Sequence, residues 1–223
     1  MPASKNPPTR RDAHRNRERL LESARHAFAE RGAQAALDGI AREAGLVTGT
    51  LYRHFPTRLD LLWAVLEPKL HRLLDEVRAL PELEDPWEAF RSLLEVLCSA
   101  QAEDRAFGDF LAKRFPGDDR TEAVHGEICA LAQRVLERAQ EAGAVRSDVT
   151  GADLFLLFWA SGRVAEATRH VAPSMWRRHV YLALDGFRAS NRLDLQEPAW
   201  DADQLHRAMA VPGKHGAELP ELR

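Results

Sequence analysis

Apolar side chains recur along this chain at the three- and four-residue spacing of a helical face. No stretch alternates polar and apolar residues between turn signals as a half-buried strand would. The pattern predicts an all-α protein. From Asp12 to Arg31, Leu20, Leu21, Ala24, Ala27 and Phe28 form one stripe, closed by Gly32. A short helix over Leu37–Ala44, with Leu37, Ile40, Ala41 and Ala44 on one side, stops at Gly45, and another over Thr48–Phe55 stops at Pro56. Longer elements follow: Leu59–Leu80, Pro86–Glu103, Arg105–Phe115 before a turn at 116–119, and Arg120–Ala142 before Gly143. Thr150 with Asp153 three residues on opens a helix over Ala152–His170, and a last helix runs from Pro173 to Ser190. Beyond Asn191 apolar residues thin out among Pro198, Pro212, Gly213, Gly216 and Pro220, so residues 191–223 are expected to form a loosely ordered tail.

Composition narrows the class. A chain of 223 residues, 45% hydrophobic and 29% charged, buries a sizeable core without cross-links, as one large or two small domains. Cys98 and Cys129 are too few for a disulfide framework, and the first residues have no apolar signal region, which places the protein in the cytoplasm. The longest apolar run, Leu154–Ala160, is seven residues, against about 20 for a membrane span. The net charge of −3 conceals an asymmetry: residues 1–58 carry 11 Lys and Arg against 6 Asp and Glu, the remainder 20 against 28. A basic front on an acidic body points to a polyanion at the front and a different task behind it.

Helix, tight glycine turn, helix is the arrangement that lets a second helix project its first side chains into a DNA major groove. Leu37-Asp-Gly-Ile-Ala-Arg-Glu-Ala-Gly-Leu-Val-Thr-Gly-Thr-Leu-Tyr-Arg-His-Phe-Pro56 fits it: Ala41 is small where helices cross, Gly45 allows the positive φ of the turn, and Ile40, Ala44, Leu46 and Leu51 point inward. With Leu51 inward, Thr48, Thr50, Tyr52, Arg53 and His54 are left at the exposed surface. Arg53 reaches guanine edges or a phosphate, the threonines meet bases, and Tyr52 and His54 suit phosphate oxygens. Gly49 admits close backbone approach, and Arg58 adds a cation at the start of the next helix.

Residues 12–66 resemble the N-terminal domain of the TetR family of bacterial transcriptional regulators, through Ile40-Ala41, Ala44-Gly45, Gly49-Thr-Leu-Tyr-Arg-His-Phe-Pro56, Arg58 and Leu61-Leu62. The resemblance implies an all-α homodimer: a three-helix helix-turn-helix DNA-binding domain (residues 12–58, after a disordered basic arm over 1–11), then a larger helical ligand-binding and dimerisation domain (59–190). It implies a repressor acting on double-stranded operator DNA and released by a small-molecule inducer, and the aromatic residues of the second domain suit an apolar or aromatic one. It places Thr48, Thr50, Tyr52, His54 and Arg58 at DNA-contacting positions, the last three mostly on phosphates. Two departures stand out: Ala36 has no hydroxyl to cap the second helix, and Val47 replaces a Ser that often opens the recognition helix, so that the cap is expected to pass to Thr48.

Other features carry alternatives. Arg10, Arg11, Arg15 and Arg17 read as a minor-groove arm or as a solvated leader. Glu122, His125 and Cys129 share one helix face, but three ligands on one helix without a fourth fit a packed thiol and an ordinary histidine better than a metal, and no metal or cofactor is expected. Trp63, Phe90, Phe107, Phe110, Phe155 and Trp159 are the aromatic candidates for the ligand site, one or two of them lining a pocket and the rest forming core. Leu154–Ala160, apolar on every side, together with Met175, Trp176, Val180, Leu184 and Phe187, is expected to form a four-helix bundle across a two-fold axis. No nucleophile, base and orienting group fall into a recognisable arrangement, so no enzyme is expected. The rival reading is a helix-turn-helix-derived adaptor that binds another protein instead of DNA.

Overall fold

The structure is a computed structural model and describes residues 10–113, 115, 117–190 and 193–210. Within these residues it is all-α: α1 (Arg10–Arg31), α2 (Leu37–Glu43), α3 (Thr48–His54), α4 (Arg58–Ala79), α5 (Pro86–Glu103), α6 (Arg105–Leu111), α7 (Asp119–Glu141), α8 (Gly151–Thr168), α9 (Met175–Gly186) and α10 (Ala202–Ala210). A 3₁₀ turn over Leu80–Glu82 follows α4, and the only β-type pairing among the described residues is an isolated bridge between Val145 and Arg188.

Contacts divide the chain into two units, one holding the described residues up to Leu70 with Arg105–Phe107, the other His71–Asp104 and the described residues from Gly108 onward. The division falls inside α4, twelve residues beyond the expected boundary at residue 58. One helix crosses that point, with Pro68 two residues ahead of it as the local mark in the sequence.

In the first unit α1 contributes Leu20, Leu21, Ala24, Ala27 and Phe28 to the core, α2 contributes Ile40 and Ala41, and α3 contributes Leu51, all at or below 4% exposure. The turn between α2 and α3 follows from Gly45, whose φ of +65° lies in the left-handed region. There the Gly45 amide donates to the Arg42 carbonyl at 2.9 Å and the Leu46 amide to the Ala41 carbonyl at 2.9 Å, so carbonyls at the end of α2 are satisfied by the turn itself. Ahead of α4, Thr57 and Asp60 cap reciprocally: the Thr57 amide and hydroxyl both donate to Asp60 Oδ2, at 3.1 and 2.7 Å.

The second unit is a helical bundle in which α5 packs on α7 and α8, and α8 on α9. Asp85 caps α5 by accepting from the Trp87 amide at 2.8 Å, and Asp118 caps α7 by accepting from the Thr121 amide at 3.0 Å. The capping box before α8 forms as the sequence predicts, the Thr150 amide and hydroxyl each donating to Asp153 Oδ2 at 2.8 Å. Buried Gln101 ties α5 to α8 through its amide, which donates to the Phe158 carbonyl at 2.5 Å. Gly162 makes room for it, since a Cβ there would meet Gln101 Oε1 at 2.5 Å. Phe90, wholly buried, meets Phe187 edge-on with ring centroids 6.0 Å apart.

Two expectations at the chain ends are corrected. Arg10 and Arg11 are not part of an unstructured arm but open α1, where Asp12 sets an acidic side chain in the first turn. Residues 1–9 lie outside the described residues. The stretch from Asn191 is not uniformly irregular either: α10 forms because Asp201 and Gln204 close a capping box, the Gln204 amide donating to Asp201 Oδ1 at 2.7 Å and the Asp201 amide to Gln204 Oε1 at 2.9 Å. Pro116, Asn191, Pro212, Gly213, Gly216 and Pro220 lie outside the described residues.

Candidate functional site

The first site is the outer face of α3. Buried Leu51 and Phe55 anchor the helix, and the Arg17 guanidinium sits over the Phe55 ring at 5.2 Å. With that side fixed, Gly49, Tyr52 and Arg53 are exposed, and Thr48, Thr50 and His54 are half-buried. All six therefore fall at the accessible surface of one short helix. Among them Gly49 has open space where a Cβ would stand.

The cap of α3 departs from expectation. Val47 is the N-cap residue and makes no side-chain cap hydrogen bond, and Thr48 is already the first residue of the helix. Val47 is also 71% exposed, a bare apolar side chain at the entrance to the polar face. Ala36 likewise gives α2 no side-chain cap.

Arg58 has an internal task that its position in the sequence does not disclose. Its Nη1 donates to the Ala35 carbonyl at 2.6 Å and to the Ala33 carbonyl at 3.1 Å, tying the α1–α2 connection to the start of α4. Burial draws its pKa below the usual arginine value, and the neighbouring Tyr52 acts in the opposite sense. Arg58 is thus a half-buried cross-link between the α1–α2 connection and the start of α4. Arg10, Arg11, Arg15 and Arg17 are all exposed along α1.

The second site is a cavity of about 560 Å³ within the second unit, partly open to solvent. Leu93 and Leu97 of α5, Leu111 of α6, Ile128 of α7, and Leu154, Phe155 and Phe158 of α8 give it apolar walls. Polar groups are sparse: His125 and Gln133 of α7, Thr150, and Asp201 at the start of α10. His125 Nδ1 lies 2.8 Å from the Thr121 carbonyl, which only accepts, so in the neutral ring Nδ1 carries the proton and Nε2 is the acceptor. The ring stacks on Phe110 at 5.6 Å.

Of the six aromatic candidates, Phe155 lines this cavity. Phe90 and Phe110 are sealed in the core at 0% exposure, and Phe107, at 2%, groups with the first unit, as does half-buried Trp63. Trp159 is 37% exposed on α8. The reading missed Phe158, three residues from Phe155 on the same helix, and Trp200 and Met209 in the presumed tail. Their signals were present: an i, i+3 aromatic pair, and an Asp-x-x-Gln box ahead of Leu205 and Met209 at i, i+4. The trio Glu122, His125 and Cys129 does not assemble: Glu122 Oε1 accepts from the Gly117 amide at 3.0 Å, and among the described residues no three His, Cys, Asp or Glu are grouped to hold a metal ion.

On α8 and α9 the residues expected across a two-fold axis divide. Trp176, Val180 and Leu184 are buried within the chain at 4% or less, whereas Met175 and Trp159 remain exposed, as do Tyr181 and Leu182, which the pattern does not single out, all four at 37% or more. No helix among the described residues is long and apolar enough to cross a membrane.

Comparison with known proteins follows the same division. Residues 20–65 match the domain described as bacterial regulatory proteins, tetR family, and residues 85–189 that described as transcriptional regulator SbtR-like, C-terminal domain. Both matches end before α10. The chain is 31% identical over 150 residues to the HTH-type transcriptional regulator SrpR of Pseudomonas putida, covering 66% of this chain and 67% of that one. It is 32% identical over 133 residues to the uncharacterized HTH-type transcriptional regulator TtgW, also of Pseudomonas putida, covering 58% of this chain and 95% of that one. In fold it is similar to the ketosteroid transcriptional regulator KstR2 of Mycobacterium tuberculosis, with a TM-score of 0.58 at 23% identity, over 77% of this chain and 94% of that one.

Proposed function

This chain belongs to the TetR family of bacterial transcriptional regulators, and from that membership we propose that it is a homodimeric repressor which leaves its operator when a small molecule fills the cavity of the second unit. The observation that carries the reading is the face of α3, where Thr48, Gly49, Thr50, Tyr52, Arg53 and His54 are presented outward over a buried Leu51. Arg53 is the base-reading or phosphate-binding cation, the threonines meet base edges, and Tyr52 and His54 take phosphates. Arg58 acts behind them as a positioning residue through Ala33 and Ala35.

Two copies are needed because one short helix reads too few base pairs for a specific site. The exposed Trp159, Tyr181 and Leu182 on the packed α8–α9 pair support that pairing. A symmetric pair enters successive major grooves only when its recognition helices are about 34 Å, or a multiple of that, apart. A ligand that favours another separation lowers DNA affinity by about 5- to 150-fold for a coupling of about 1–3 kcal/mol.

The test is selection of bound fragments from the source genome, followed by footprinting and sedimentation. The expected result is a protected inverted repeat, salt-dependent affinity and a dimeric mass. Absence of salt-dependent DNA binding overturns the reading.

A further inference from the structure

The cavity is walled on one side by a part of the chain that the family's matched domains do not include. Trp200, Asp201, Leu205 and Met209 line it from α10 and its cap, beyond residue 189 where the second match ends. Leu205 and Met209 stand one helical turn apart and are both half-buried, so α10 turns its apolar side to the cavity. Asp201 is the only lining residue that carries a formal charge at neutral pH with histidine neutral, and among the described residues no lysine or arginine lines the cavity.

We infer that α10 is a lid over this cavity, and that the ligand it encloses is an apolar compound with no negative charge, neutral or cationic, bearing a hydrogen-bond donor. The inference rests on the proposed reading of the cavity as a ligand site and adds the ligand's class and its gate. A volume of about 560 Å³ is that of a site for a drug-sized molecule, and apolar walls reward burial of hydrocarbon or ring surface. A carboxylate or sulfonate placed there loses its hydration, meets no cation in return and lies near the Asp201 carboxylate. A donor, by contrast, has acceptors in Asp201 and, when the ring is neutral, in His125 Nε2.

Two dyes test this on the full-length protein without DNA. N-phenyl-1-naphthylamine is neutral and carries an N–H, and 8-anilinonaphthalene-1-sulfonate is the same ring pair with a sulfonate added. Fluorescence titration and mutual displacement should show one shared site with the neutral dye held at least about tenfold tighter. Asp201→Asn keeps the α10 cap, since Asn caps as well as Asp, and should narrow that preference. Leu205→Ala with Met209→Ala retains good helix formers but strips the lid of its apolar contacts, and should speed dissociation of the neutral dye by about tenfold or more.

Equal affinity for the two dyes, failure of the neutral dye to bind, or an unchanged dissociation rate in the double variant overturns the inference. Because no DNA is present, these outcomes are separate from those of the operator test. A protein that binds its operator but ignores the dyes' charge has lost the ligand class, one whose double variant releases the neutral dye no faster has lost the lid, and one that obeys the dye predictions but binds no DNA has lost the regulator reading.

Discussion

Replacing Arg58 by alanine separates a cross-link from a phosphate contact. The side chain gives two charge-assisted hydrogen bonds, at 2.6 and 3.1 Å, to the Ala35 and Ala33 carbonyls. Bonds of that kind contribute about 1.5–3 kcal/mol each when sequestered, and the half-exposure of this guanidinium reduces the pair to about 2 kcal/mol in total. Arg58→Ala should therefore lower the urea midpoint of the first unit by about 1 M, read by far-UV circular dichroism. Arg58→Lys should recover only part of the loss, since both bonds leave the terminal Nη1 and the lysine side chain, although its ammonium has donors enough, ends short of that position. Arg53 is exposed, so Arg53→Ala should leave the midpoint within about 0.5 kcal/mol of the parent while weakening specific operator binding by about 1–3 kcal/mol. Fluorescence anisotropy at several salt concentrations completes the comparison. If Arg58→Ala unfolds with the parent and instead flattens the salt slope by about one phosphate's worth, the cross-link account is wrong.

The two glycines around the turn should behave oppositely. Gly45→Ala forces an L side chain to a φ of +65° and into contact with Arg19 Nη2 at 2.5 Å, and should cost about 1–2 kcal/mol in urea unfolding. Gly49→Ala meets nothing within 4 Å, so it should raise stability by about 0.5–1 kcal/mol yet weaken DNA binding, as anisotropy would show. The Arg120 guanidinium, and next the Thr121 amide, hold the Asp118 carboxylate below its ordinary range. A depressed native pKa adds stability that is present above the unfolded value of about 4 and lost as pH falls through the native one. Urea midpoints between about pH 3 and 6 should thus fall less steeply toward acid in Asp118→Asn than in the parent. Pro68 stands inside α4 without an amide for the Ala64 carbonyl; Pro68→Ala should stabilise the helix by up to about 3 kcal/mol and blunt the effect of ligand on operator affinity.

The helices and the turn were legible because each rests on local chemistry. Gly45, Pro56 and the Thr150–Asp153 box act on their own neighbours, so reading them needs no knowledge of distant packing. The buried side of α3 followed from Leu51 alone. Arg58 was half legible: its position beside a helix start was visible, but its acceptors lie 23 and 25 residues earlier and are backbone carbonyls, which leave no trace in side-chain pattern. The cavity was the least legible part. Six aromatic residues on helices look alike in sequence, and what separates Phe155 from Phe90 is which neighbours fill the space beside each. Helix α10 is hard to read because the prolines and glycines on either side dominate residues 191–223, and only Asp201, Gln204, Leu205 and Met209 specify its cap and apolar side.

A ligand held in the second unit influences the recognition helix only if the chain has two arrangements that it binds unequally. The cavity draws its walls from α5 through α8 and from α10, so a bound molecule acts on the packing of these helices first. The covalent route out of that set toward α3 runs through α4, which begins at the Arg58 cross-link and the Thr57–Asp60 cap and carries Pro68 two residues before the contact division at Leu70. A proline there removes one helical hydrogen bond and with it part of the resistance to bending. The coupling that regulation requires, about 1–3 kcal/mol, is of the same order as one such bond in a helix. A fully bonded α4 would resist the change that a ligand of modest affinity drives, and one broken outright would transmit none of it. On the proposed reading, the rigid start of α4 would keep α3 in register with its own core, and its weakened middle would let a small energy difference in the cavity reach it.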